Sequence, residues 1–239
     1  MAARLPNYGI TGQLAYHQAV AELRGVITDW GGVLTSPISD TVNAWLEADG
    51  IDRASYVAVM RHWVQQAYSG DAAERNWIHA LERGECTNAE FELALAGELI
   101  REDGGPVAGP GLLTRMFAGS VLDESMVALI RRLHADGVPT GLLSNSWGGG
   151  YPTELFTDMF DAVVISSQVG MRKPEPGIFL HAVQLLGLEP TQCVFVDDIE
   201  ANITAAESLG FTGVLHTDSE VTADRIARLL GRPPAGSPG

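Results

Sequence analysis

Residues 25–37 read GVITDWGGVLTSP. A short apolar run, 25–28, stops at Asp29, and Gly31 and Gly32 follow at once. A run of this length bounded by turn residues has the pattern of a buried strand. It places a lone carboxylate at the strand tip, with a glycine backbone beside it that can approach a ligand closely. The pattern recurs at 138–143, 162–165, 193–196 and 213–215. Helical patterns lie between the later runs. Residues 123–135 carry Met126, Val127, Leu129, Ile130 and Leu133; 175–186 follow Pro174 and stop at Gly187; 199–209 stop at Gly210; 219–230 stop at Gly231. Strands alternating with helices at this spacing predict an α/β fold, a Rossmann-like parallel sheet with helices on both faces.

Residues 37–120 break the alternation and read as helices only, over 40–48, 54–68, 77–83, 88–101 and 111–117. We expect an inserted α-helical cap domain at 37–120 and a core domain formed by 24–36 and 121–231. Residues 1–23 read as an N-terminal extension and 232–239 as a flexible tail.

The chain has 239 residues, enough for one large domain or a core plus an insert. Its formal net charge is −15. That field repels phosphate backbones and anionic membranes, which points away from nucleic acid and membrane partners. It also repels an anionic substrate unless a cation offsets it locally. The N-terminus shows no apolar run of signal-peptide type and no stretch is long enough to span a bilayer, so a cytoplasmic location is expected. Cys86 and Cys193 have no metal-type spacing. Lys173 is the single lysine among the fifteen Lys and Arg residues, which invites a specific reason for a compact point charge there. Monomer and homodimer both fit the sequence.

In an open parallel sheet, ligands bind beyond the carboxyl ends of the strands. Four polar features fall there: Asp29 after the first strand, Ser144-Asn145 after the second, Lys173 in the loop after the third, and Asp197-Asp198 after the fourth. One strand-end acid reads equally well as a helix cap. Four such features, including an acid pair and the only lysine, go beyond capping.

In this order DWGGVL, LLSNS, RKPEP and FVDDIEAN resemble the motifs of the haloacid dehalogenase superfamily, which is dominated by Mg²⁺-dependent phosphatases. LLSNSW, RKPEPGIF, FVDDIEANITAAESLG and ALERGECTNAEF look closest to the branch that contains the N-terminal phosphatase domain of soluble epoxide hydrolase. The resemblance implies a small phosphorylated substrate, with Asp29 as nucleophile and an aspartyl-phosphate that water hydrolyses. It implies Mg²⁺ held by the Asp29 side chain, the Gly31 carbonyl and Asp198, with Asp197 behind them or as an alternative ligand. The Ser144 hydroxyl and the Asn145 backbone N–H would hold phosphate oxygens, and Lys173 would offset the negative charge. Asn202 is expected to hold the acid pair by hydrogen bonds. Trp30 and Trp147 are candidates to touch substrate. In the insert, His62, Trp63, Tyr68, Arg75, Trp77 and His79 are candidates for a lid, although for each singly the core reading is the stronger, since an aromatic at helical spacing is usually core.

The family's phosphatases carry an acid two residues after the nucleophile, to protonate the leaving oxygen; Gly31 stands there in this chain. General acid–base help is worth about 10²–10⁴-fold. Three readings follow. The first is a phosphatase for esters with good leaving groups, such as anomeric sugar or acyl phosphates. The second is a dehalogenase-type hydrolase. The third is a non-catalytic protein that binds a phosphate ligand. A phosphonatase is disfavoured, because its Schiff-base lysine would sit in the insert, and the insert has none.

Overall fold

The computed structural model describes residues 22–69, 76–148 and 150–232. Strands β1 (Gly25–Thr28), β2 (Thr140–Ser144), β3 (Ala162–Ile165), β4 (Cys193–Asp197) and β5 (Thr212–Leu215) form one parallel sheet in the order β3-β2-β1-β4-β5. The chain steps outward from β1 through β2 to β3, then crosses back to β4 on the other side of β1. The topological switch point therefore lies between β1 and β4, where such sheets bind ligands. The central strands β1, β2 and β4 are wholly buried because both faces are covered, while the edge strand β5 is partly exposed.

Between β1 and β2 lie α1 (Ile38–Asp49), α2 (Arg53–Ser69), α3 (Trp77–Glu82), α4 (Asn88–Glu98) and α5 (Leu112–Met116). These helices bury a core of their own, which includes Trp45, Trp63, Phe91, Leu95, Leu112 and Met116. A capping box fixes the start of α4: the Thr87 hydroxyl accepts from the Glu90 N–H while the Glu90 carboxylate accepts from the Thr87 N–H. The chain leaves and re-enters the sheet side by side. Ser36 N–H donates to the Val121 carbonyl at 2.7 Å, and Asp123 N–H donates to the Leu34 carbonyl at 2.9 Å.

After the insert come α6 (Glu124–Ala135), α7 (Ser166–Val169), α8 (Pro176–Leu186), α9 (Glu200–Ser208) and α10 (Ser219–Leu229). Alternate strand residues face opposite layers. Val26, Leu142, Val194 and Val196 pack with α6 and α10. Ile27, Leu143, Val164 and Phe195 pack with α8 and α9. In the second layer Phe179, Phe195 and Phe211 meet edge to face at 5.2–6.2 Å between ring centroids. Such pairs add about 0.5–1.5 kcal/mol each beyond their area burial.

The expected α/β architecture with a helical insert is present, and differences lie at element ends. Helix α4 stops at Glu98 rather than 101, because Ile100 and Arg101 turn to make antiparallel bridges with Pro106 and Ile51. β2 begins two residues later than expected and ends on Ser144 itself. A 3₁₀ turn at Thr153–Asp158 and the one-turn α7 were not anticipated, since neither is long enough to show a period. Residues 1–21 and 233–239, which hold most of the expected extension and tail, lie outside the described residues.

Candidate active site

The three central strands, β2, β1 and β4, end side by side, so Ser144, Asp29 and Asp197 share one rim of the sheet. Asp29 is held there by its N–H, which donates to the Val196 carbonyl at 2.9 Å. Its Oδ1 accepts from the Trp30 N–H at 2.7 Å.

Lys173 comes from the loop after α7 and is 1% exposed. Its Nζ lies 2.9 Å from Asp29 Oδ1 and 2.7 Å from Asp197 Oδ2, and 5.7 Å from the Phe195 ring centroid. Burial disfavours its charge, but Asp29 and Asp197 outweigh that and hold the ammonium above its ordinary pKa. Burial pushes the Asp29 carboxyl up to about 7 against the pull of Lys173, with Asp197 adding to the rise.

The two acids after β4 have different surroundings. Asp197 is fully buried and saturated: beyond Lys173, it accepts from Ile199 N–H at 2.8 Å and from Asn202 Nδ2 at 3.0 and 3.1 Å. Asn202 thus bonds one acid of the pair. Asp198 Oδ1 is buried without any hydrogen-bond partner. Burial, then the charge of Asp197, raises the Asp198 carboxyl above the usual carboxylate range. Asp29, Asp197 and Asp198 each offer an oxygen within 4.8 Å of the others. Gly32, at φ +74°, makes room for this: a Cβ there would stand 2.2 Å from Asp198 Oδ2.

This donor set fits a hard divalent cation. Three carboxylates meet one ammonium, and one carboxylate oxygen is desolvated without compensation, an arrangement that is costly unless a cation pairs with it.

Ser144 is buried, and its hydroxyl lies 3.0 Å from the Tyr151 hydroxyl. Burial raises the Tyr151 phenol above its usual pKa. The Asn145 side chain does something the sequence did not reveal. Its Oδ1 accepts from the Lys173 N–H at 2.8 Å, and its Nδ2 donates to the Lys173 carbonyl at 3.0 Å. This two-point clamp fixes the backbone that carries the ammonium. Glu82 of α3 ties the same two loops from the insert, accepting from Trp147 Nε1 at 3.1 Å and from Arg172 Nε. Arg83 pairs with Glu175 beside it.

A cavity of about 510 Å³ opens above the rim, between sheet and insert. Trp30, Gly31, Ser144, Asn145 and Trp147 line it, as anticipated for Trp30 and Trp147. The insert contributes Ile38 and Thr41 from α1, Asn88 and Glu92 from α4, and Leu113 and Thr114 from α5. None of the four anticipated lid residues whose side chains are described, His62, Trp63, Trp77 and His79, lines it. Trp63 is buried in the insert core against Phe91, Trp77 packs on that core, His62 is exposed on α2, and half-buried His79 lies beside Arg172 and Arg83. Arg75 and the Tyr68 side chain lie outside the described residues. The helix spacing identified aromatic positions correctly but could not say which helices face the sheet.

Residues 23–210 match the haloacid dehalogenase-like hydrolases. The chain belongs to this family. Acyl-CoA dehydrogenase family member 10 of Mus musculus is 27% identical over 222 residues, covering 91% of this chain and 20% of the mouse protein. Sesquiterpene phosphatase astK of Aspergillus oryzae is 29% identical over 113 residues, 46% of this chain and 58% of that protein. Bifunctional epoxide hydrolase 2 of Sus scrofa is 23% identical over 224 residues, 87% of this chain and 39% of the porcine protein. The chain thus spans between 20% and 58% of the lengths of these curated relatives. A haloacid dehalogenase-like hydrolase of Porphyromonas gingivalis superposes with a TM-score of 0.64 at 24% identity, covering 89% of this chain and all of that one, which shows the shared fold. No helix among the described residues is long and apolar enough to cross a membrane.

Proposed function

We propose that this haloacid dehalogenase-like hydrolase is a Mg²⁺-dependent phosphatase that cleaves a small phosphomonoester through a phosphoryl group carried on Asp29. The observation that carries the reading is the charge balance at the rim: three carboxylates converge, one ammonium answers them, and one Asp198 oxygen has no partner. The phosphatase among the chain's relatives supports the same class.

The Asp29 side chain, the Gly31 carbonyl and Asp198 would hold Mg²⁺, and residues 37–120 act as the cap over the site. The bound cation supplies charge neutralisation between a carboxylate nucleophile and an anionic phosphate. Asp29 is nearly buried and held rigid at its strand tip, as a positioned nucleophile needs. The Ser144 hydroxyl and Asn145 N–H orient phosphate oxygens. Lys173, clamped by Asn145 and anchored by Asp197, holds its charge against Asp29 without reorganising during the reaction. Asp197 has its lone pairs committed to Lys173, Asn202 and Ile199, so its role in this reading is to anchor the lysine.

The test is phosphate release from a panel of phosphomonoesters and an acyl phosphate, with Mg²⁺ or EDTA, with chloride release from 2-chloropropionate followed in parallel. Metal-dependent phosphate release is expected. Metal-independent chloride release would move the protein to dehalogenase chemistry. Ligand binding without turnover would make it a binding protein.

A further inference from the structure

Two features of the cavity point to the same leaving group. The first is the missing proton donor. Gly31 has no side chain, and a Cβ there would meet Cδ1 of Ile38 of α1 at 3.0 Å, a tight contact. Among the described residues that line the cavity Glu92 is the one carboxylate, and both its oxygens are committed: they accept from the Gly111 N–H at 2.9 Å and the Leu113 N–H at 3.0 Å. The Tyr151 hydroxyl is held on Ser144, and burial makes it a poorer acid than an ordinary phenol. The other described residues of the wall carry no carboxyl, imidazole or thiol group.

The second feature is the character of the wall. Among the described residues that line the cavity, none is Lys, Arg or His. The rim's single lysine is already shared between Asp29 and Asp197. A second phosphate or a carboxylate on the substrate would find no cation, and would face Glu92. Instead the wall offers aromatic rings: Trp30, Phe117, Trp147 and Tyr151. Trp30 is braced edge to face by Tyr151 at 5.8 Å and Phe156 at 5.6 Å, and Trp147 by Phe91 at 5.7 Å. These are fixed surfaces that suit a flat apolar ring.

We propose that the substrate is an aryl monophosphate: one phosphate on an uncharged phenol-type alcohol whose ring packs against Trp30 and Trp147. The proposal rests on the phosphatase reading above and narrows it. An Asp29 oxygen bonds to phosphorus as the P–O(aryl) bond breaks. The electron pair leaves on the phenolate, which takes its proton from solvent. Water then adds to phosphorus, the P–O(Asp29) bond breaks, and the water's proton passes to solvent. A phenolate, whose conjugate acid has a pKa of about 10, departs without help. An alkoxide, as basic as hydroxide from water of pKa about 15.7, does not.

The test compares kcat/KM, with Mg²⁺, for 1-naphthyl phosphate, phenyl phosphate, 4-carboxyphenyl phosphate and cyclohexylmethyl phosphate. Aryl esters are expected to exceed the alkyl ester by at least about 10²-fold, the scale of missing acid help. The carboxylate is expected to raise KM relative to phenyl phosphate with kcat little changed. Trp147→Ala is expected to raise KM for the naphthyl ester. The double variant Gly31→Asp/Ile38→Ala restores an acid with room for it, and is expected to narrow the aryl–alkyl gap. Equal rates for alkyl and aryl esters, or indifference to the carboxylate, would overturn the proposal while leaving the phosphatase reading intact. No Mg²⁺-dependent phosphate release from any ester would overturn the phosphatase reading itself.

Discussion

The sheet rim and the insert wall face each other across one cavity and are built on opposite principles. At the rim, charge is concentrated and fixed: Asp29, Asp197 and Lys173 are nearly or fully buried, and both carboxylates pair with the ammonium. The insert wall is neutral except for Glu92, and Glu92 spends both oxygens on backbone N–H groups inside the insert. In the proposed reaction, electrostatic chemistry would belong to the rim, and shape and polarity selection to the wall. Substitutions at the rim should act on kcat, and those in the insert on KM and stability.

The largest effect that sharpens this contrast comes from Lys173→Met. It leaves Asp29 and Asp197 buried without their cation, and we expect a stability loss of about 3–5 kcal/mol in urea denaturation. A loss of about 10²–10³-fold in kcat should accompany it. Gly32→Ala comes next, because its Cβ would collide with Asp198 Oδ2 in a left-handed backbone. A cost of about 1–3 kcal/mol is expected, and titration calorimetry should show weakened Mg²⁺ binding.

On the insert side, Glu92→Ala strands the Gly111 and Leu113 N–H groups and should cost about 1–3 kcal/mol. Steady-state kinetics should show kcat preserved; a collapse of kcat with KM unchanged would break the division between rim and wall.

The smallest effect is a pH dependence at the seam between the two regions. Burial, then the charges of Arg172 and Arg83, lowers the His79 pKa to about 4. The unfolded chain binds this proton below about 6.5 and the folded chain only below about 4. This group's contribution is therefore constant above pH 6.5 and becomes destabilising as pH falls from 6.5 to 4. His79→Gln should flatten that part of the pH profile of the urea midpoint, and an unchanged profile would remove His79 from it.

The same contrast explains what could be read from the residues alone. A polar side chain at the end of an apolar strand can lie only at the sheet's rim, so strand spacing was enough to bring Asp29, Ser144 and the acid pair together, while Lys173 reaches them from the loop after α7. The different lives of Asp197 and Asp198 were not legible, because they depend on which way adjacent side chains turn at the strand end. The Asn145 clamp on Lys173 was hidden for a similar reason: a side-chain amide paired with a backbone 28 residues away leaves no local pattern. In the insert, an aromatic residue marks a buried face without saying which neighbour buries it. So Trp63 reads as a lid residue and proves to be insert core, while Ile38, Thr41 and Leu113 line the cavity unannounced.

The central claim is that Asp29 carries the phosphoryl group. Its most direct test is to quench the enzyme in acid during turnover of phenyl phosphate with Mg²⁺ and to map the adduct by peptide mass spectrometry, with turnover of Asp29→Asn measured alongside. The account predicts a phosphoryl group on the peptide containing Asp29 and no turnover by the variant. Turnover by Asp29→Asn at the wild-type rate, or the adduct on another residue, would contradict it.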